Sequence, residues 1–412
     1  MKTKHIYITF LIVIISFISK AQDAPVISGY VRNYTGMLTS ENNEFSIVQN
    51  TLNINIEKKF GRVAFKANPY LYHYFDRDLE LGLREAYMDL YFDNFDLRIG
   101  KQQIIYGKAE GVFITDVVSP KDLREFLLPD FEEIRMGITA AKLSYFLKGN
   151  TFELTWIPVF TPTQLPGAGS IWQPVMPFPV NPTFDYSTSE VIPSLENSEL
   201  FLRYSALGSK IDYELVAGTF NYDDPVFHLT KQIDQQTGTL TGLTARPEYH
   251  RVLMAGGSFS LPVGPLVLRS ELGYYNGRYF QTNAPSAKDG TIKKDFLHYM
   301  AGLDYNLAGI VLSTQFIQEV LPDYEDDMLN DQFETTMTFL AKKDFFREKL
   351  WIEFFSYVGL TTKDALIRPK LTYSFADGFD IQAGANIFTG SEGRFGQFNA
   401  NDMLYAKVKF SF

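Results

Sequence analysis

The sequence predicts an all-β protein: a transmembrane antiparallel β-barrel of about 18 strands, with 16 left open, and a partly helical insertion folded into its lumen. Three observations predict it. Strand-length stretches that alternate apolar and polar residues recur from near residue 28 to the last residue. Short turns and long connections take turns between them, as on the two rims of a membrane barrel. Aromatic residues make up 15% of the chain, with 36 Phe and 24 Tyr, while Cys is absent.

The first residues are read as an export signal. Lys2 and Lys4 precede an apolar run over residues 6–18, and Ser19, Lys20 and Ala21 precede Gln22. The run is shorter than the 20 or so residues of a spanning helix, and small residues occupy the −3 and −1 positions, so 1–21 is a signal peptide and 22–412 the barrel. No later run is long and apolar enough for a helical span. Without Cys there is no disulfide framework and no thiolate site. The net charge of −10 becomes more negative once the signal's lysines are gone, which argues against nucleic acid as a partner.

Strand candidates fall near 28–39, 45–60, 61–75, 79–93, 95–105, 136–149, 150–160, 198–208, 210–221, 249–262, 264–276, 296–308, 309–321, 332–344, 348–358, 365–376, 378–390 and 402–412. Tight joints such as Gly149-Asn150, Ala308-Gly309 and Asp377-Gly378 alternate with longer connections over 106–135, 161–197, 222–248, 277–295, 322–331 and 391–401. An even count puts both ends on the short-turn side. The last strand is the clearest. Leu404, Ala406, Val408, Phe410 and Phe412 alternate with Tyr405, Lys407, Lys409 and Ser411, ending on Phe. This pattern resembles the terminal signature read by the barrel-assembly machinery of bacterial outer membranes.

If the apolar set faces lipid, the alternate set, including Glu85, Asp89 and Arg98, faces the interior. A barrel this wide leaves an aqueous channel that something must narrow. The insertion over 106–135 is the candidate, because it is too long for a turn and too polar for lipid. Ser119-Pro120 reads as a helix start, giving two turns over 121–128 that Pro129 ends. Lys108, Glu110, Asp116, Asp122, Arg124 and Arg135 would supply the constriction, together with Glu85, Asp89, Arg98 and Lys101 on the adjoining strands. Val112, Phe113, Ile114, Val117, Val118, Leu123, Phe126, Leu127 and Leu128 would anchor it to the inner wall. The opposite reading, an external cap, stays open.

Residues 83–135 resemble a family of porin-like outer-membrane proteins long catalogued as a domain of unknown function. The resemblance rests on Arg98, Gly100, Lys101, Gln102, Tyr106, Gly107, Lys108, Glu110 and Gly111, followed by Thr115, Asp116, Pro120, Asp122, Arg124 and Phe126. Tyr106 stands where the family more often has Trp. The resemblance implies a barrel with an internal constriction and names no substrate.

A second unusual stretch, the Pro-rich outer loop over 158–193, carries Trp172 and Phe178 as aromatic contacts for a ligand. The acidic run over 323–327 lacks the spacing of a calcium loop and reads as solvated. His73, His228, His250 and His298 are not spaced as metal ligands, and no nucleophile elbow or phosphate loop is present. No cofactor, metal or catalytic residue is therefore expected. The expected partners are small polar solutes, the lipid and lipopolysaccharide of a Gram-negative outer membrane, and the assembly machinery; an oligomer is left open. A channel is the first expectation, a non-conducting barrel that binds a partner the second, and a membrane hydrolase the third.

Overall fold

The computed structural model describes residues 24–412 except 40–42, 176, 177, 179 and 209; the expected signal peptide lies outside the described residues. In chain order the strands are β1 (Val26–Leu38), β2 (Phe45–Phe60), β3 (Val63–Tyr74), β4 (Glu80–Tyr91), β5 (Phe95–Gln102), β6 (Ile138–Leu147), β7 (Asn150–Ile157), β8 (Thr183–Phe184), β9 (Glu199–Leu207), β10 (Asp212–Asn221) and β11 (Val226–Ile233). They continue as β12 (Leu240–Glu248), β13 (Arg251–Val263), β14 (Leu266–Gln281), β15 (Thr291–Leu307), β16 (Ile310–Val320), β17 (Phe333–Phe345), β18 (Leu350–Gly359), β19 (Asp364–Ala376), β20 (Phe379–Thr389) and β21 (Met403–Ser411). Two single-turn helices, α1 (Phe131–Ile134) and α2 (Gly393–Gly396), lie in connections.

All but β8, β11 and β12 join one 18-stranded sheet. Each strand pairs antiparallel with the next, and β21 pairs back onto β1 from Tyr30↔Ser411 to Leu38↔Met403. The ring is therefore closed, which removes every free edge. Eighteen is the count, not sixteen.

The alternation that predicted the strands sorts their two faces. On β7, Phe152, Leu154 and Trp156 are exposed, while Glu153, Thr155 and Ile157 are buried. On β21, Leu404, Val408 and Phe410 are exposed and Lys407 is buried. Exposed apolar side chains recur around the whole ring, an area no monomer would leave to water. The outward face is thus matched to hydrocarbon and the inward face is polar over much of its height. Lys148 and Gly149, both at positive φ, make the two-residue turn between β6 and β7; such turns match the twist of the strands they join.

Three sequence expectations are corrected. The stretch 277–295 is mostly strand, because β14 and β15 continue past the sheet rim as a long hairpin. Within the two connections over 161–197 and 222–248, β11 and β12 form a hairpin to which β8 adds in parallel, a small second sheet. The helix expected over 121–128 is absent. Lys121 and Asp122 instead bridge to Arg135 and Gln164, Phe126 adopts a φ of 54°, and helix appears only after Pro129, as α1. Two turns fall below the length at which a helix holds itself, so backbone pairing with neighbouring chain prevails.

Candidate functional site

The connection between β5 and β6, residues 103–137, is bound to side chains on strands far apart around the ring. Its first half converges on Glu271 of β14. One carboxylate oxygen accepts the N–H groups of Lys108 at 2.6 Å and Ala109 at 2.9 Å. The other accepts the Thr115 N–H at 2.7 Å and its hydroxyl at 2.8 Å. Glu271 is 1% exposed, so four donors replace the water it has lost. Gly107, at φ +85°, donates its N–H to Glu214 of β10. A Cβ there would lie 2.4 Å from a Glu271 oxygen, so both the conformation and the approach require glycine.

The chain then passes along the neighbouring strands. Glu110 exchanges two backbone hydrogen bonds with the Gln315 amide of β16 and forms an ion pair with Arg269 of β14 at 2.9 Å. Tyr357 of β18 donates to the Gly111 carbonyl, and Arg368 of β19 to the carbonyls of Leu127 and Leu128. Glu133, in α1, accepts from Tyr30 of β1 and pairs with Arg32 at 3.0 Å. Arg84 of β4 donates to the Glu132 carbonyl. In ring order β1 and β10 lie nearly half a circuit apart, so the segment is held from opposite arcs.

The predicted site residues divide by environment. Asp116 is 4% exposed and bound by Arg135 at 2.7 Å and by the Tyr106 N–H. Burial pushes its carboxyl up to about 6, against the pull of Arg135. Arg124 is clamped between Asp122 and Glu80, and its hydrogen bond to Asp122 raises its already high affinity for the proton. Asp116 with Arg135 and Asp122 with Arg124 fasten the segment to itself, and Glu80 ties Arg124 to β4. Glu110 is exposed and Lys108 partly so. On the wall, Glu85 pairs with Lys66 and accepts the Gln103 N–H, and Asp89 grips Arg98 through two hydrogen bonds. Lys101 is partly buried in β5.

The outer-loop expectation divides too. Trp172 is 2% exposed, its ring surrounded by Phe126, Phe388 and Phe398. It is a packing group with no free face, which corrects its expected role as a ligand contact. Phe178 packs edge-on against Phe227 of β11. Sequence reasoning missed the wall anchors Glu271, Glu214, Gln315, Tyr357 and Arg368. Strand alternation turns Glu271, Glu214 and Arg368 inward, but nothing in the sequence pairs them with residues 107–128.

Two cavities flank the segment toward the short-turn rim. One, of about 740 Å³, is lined by five cations, Arg32, Lys66, Arg84, Lys407 and Lys409, and five acids, Glu85, Asp130, Glu132, Glu133 and Asp380. The second, of about 560 Å³, lies against Lys342, Glu353, Arg368 and Lys370.

Known proteins place this architecture. No curated protein is similar to the chain in sequence. Among solved structures, Pseudomonas aeruginosa OccK2 (OpdF), in complex with glucuronate, is similar at TM-score 0.55 and 14% identity, covering 94% of this chain and 98% of that one. Pseudomonas aeruginosa OccK8 (OprE) is similar at TM-score 0.57 and 11% identity, covering 94% and 97%. Acinetobacter baumannii OccAB3 is similar at 0.54 and 10%, covering 94% and 98%. At these identities the likeness is one of fold. The family described as a protein of unknown function, DUF1302, matches residues 37–351, most of the chain, and the chain belongs to that family.

Proposed function

We propose that this protein is an outer-membrane channel in which residues 103–137 cross the bore as a charged constriction, and that it passes small polar or charged solutes. One observation carries the reading: the segment is bonded to inward-facing side chains on opposite arcs of a closed ring, from Glu271 on β14 to Arg32 on β1. A chain tied to both sides of a ring narrows it. The cavity wall, with equal numbers of cations and acids, suits solutes that carry hydroxyls and a charge better than ions of a single sign. Glucuronate, found in OccK2, supplies the first solute to test. Neither role requires catalysis, and we assign none.

The test is conductance of the purified protein in a planar bilayer, with and without glucuronate. Discrete openings that glucuronate blocks at millimolar concentration are expected. A folded protein that never conducts would sink the channel.

A second reading, a barrel that binds a partner without conducting, is favoured by the interior on the long-loop side. There two aromatic-rich clusters pack against the segment, one around Trp172, Phe388 and Tyr357, the other around Phe201, Phe220 and Tyr275. Deleting residues 108–133 separates the two readings. A constriction gives large openings when removed; a closed outer half stays silent.

A further inference from the structure

Two histidines that the sequence separates by a whole hairpin meet at the outer mouth of the barrel. His228 lies in β11 and His250 in the link from β12 to β13. Their Nε2 atoms are 2.7 Å apart, and a Glu248 oxygen is 3.8 Å from the His228 Nε2. One ligand atom from each of the three lies within 4.8 Å of the others. Behind His228, the Asp289 carboxylate accepts the Nδ1–H at 2.8 Å, which turns the lone pair of Nε2 toward His250 and Glu248. Asp289 is itself held by the N–H and hydroxyl of Thr291. The Tyr279 ring stacks on His250 at 4.0 Å and fixes its plane.

We propose that His228, Glu248 and His250 form a binding site for a divalent first-row transition ion of the zinc type. Two imidazoles and one carboxylate suit such an ion better than magnesium or calcium, which take mainly oxygen. A carboxylate behind a ligating imidazole is the usual support for it. Zinc–nitrogen bonds of about 2.0–2.1 Å in a tetrahedron set the nitrogens roughly 3.3 Å apart, so the two rings need open only by about half an ångström. Beside the cluster is a cavity of about 10 Å³ lined by Glu248, His250 and Asp224. One Asp224 oxygen is buried there with no hydrogen-bond partner among the described residues. Arg278, also on that cavity, lies over the rings of Tyr222, Phe280 and Phe296. Lys121, whose strongest charge attraction is to Asp224, gives the buried oxygen no hydrogen bond. The three ligands come from β11, β12 and the link into β13, and their support comes from the β14–β15 connection. A bound ion therefore ties the outer hairpin to the barrel rim.

The test uses the full chain in detergent micelles, stripped with a chelator and then titrated with zinc chloride by calorimetry and with cobalt chloride by visible absorption. One ion per chain is expected, with the intense visible bands of tetrahedral cobalt. His228→Gln and His250→Gln are each expected to weaken zinc at least tenfold, and Asp289→Asn by about tenfold. His73→Gln, on the outer face of β3, serves as the control and leaves zinc binding unchanged. Heat-modifiable migration on gels reports the fold of each variant, and the wild-type cobalt spectrum needs no variant at all. The proposal is overturned if the wild type takes up neither ion saturably, or if the folded double variant His228→Gln/His250→Gln binds zinc as the wild type does.

Discussion

The two ends of the barrel interior differ, and single strands show the change. On β21 the inward side chains run Lys409, Lys407, Tyr405, Met403 from the short-turn rim outward. On β1 they run Tyr30, Arg32, Tyr34, Leu38, and on β18 Glu353, Phe355, Tyr357. The change from charge to aromatic falls where residues 103–137 bind. Toward the short-turn rim the wall is polar and lines the cavities; toward the long loops it is packed like a core. Period-two alternation says which side chains point inward, but not what they meet there. A wall is polar where it faces water and apolar where a segment of the same chain covers it.

Breaking the packed end carries the largest expected effect. Trp172→Ala removes the ring between Phe126, Phe388 and Phe398 and is expected to lower stability by about 3–5 kcal/mol; the midpoint of urea unfolding in detergent checks it. If the midpoint is unmoved, the outer cluster is not a core.

Glu271→Ala tests the seam between the two ends. It strands the N–H groups of Lys108, Ala109 and Thr115, at a cost of about 3 kcal/mol, and frees the first half of the segment. Faster proteolysis within residues 103–137 and a severalfold rise in conductance are expected. Gly107→Ala, which drives a methyl group into the same carboxylate, is expected to reproduce both.

Asp116 gives the seam a pH dependence. Its folded-state pKa of about 6 lies above the ordinary carboxylate value, so the folded protein binds the proton more tightly than the unfolded chain. Its contribution is therefore fully present below about pH 4 and is lost as the pH rises through 6, with an upper bound of roughly 3 kcal/mol. Asp116→Asn is expected to flatten the difference in thermal midpoint between pH 4 and pH 7; an unchanged difference places the titration elsewhere.

At the short-turn end, Lys409→Glu is expected to cost less than about 0.5 kcal/mol, since Lys409 is half-buried and contacts the Tyr30 ring face without an ion pair among the described residues. It changes the sign of one charge on the 740 Å³ cavity. A shift of reversal potential toward cations, measured under a salt gradient, checks whether that cavity lies on the conducting path.

Much of the fold was legible because a barrel strand writes its geometry locally. Phe152, Leu154 and Trp156 alternate with Glu153 and Thr155 whatever strand lies beside them. The position of the unusual segment was legible too, since its length and charge fit neither turn nor strand. Its conformation was not, because Asp122 and Leu123 take hydrogen-bond partners from Ile134 and Gln164 that no local rule supplies. The β11–β12 hairpin left a readable trace: two alternating stretches joined by Asp234-Gln235-Gln236-Thr237-Gly238. The meeting of His228 with His250 depends on that hairpin and on β14 lying beside it, so spacing along the chain could not give it.

The Glu271 anchor also orders events during assembly. Lys108 and its acceptor are separated by 163 residues. The segment therefore emerges from the ribosome long before β14 exists to receive it, and its exposed N–H groups stay solvated in the meantime. Ring closure through β1 and β21 comes later still in the chain. The first half of the segment is thus made before the strand that holds it, and the ring closes after both. Loss of the anchor is expected to show first as slow or divided folding of the barrel.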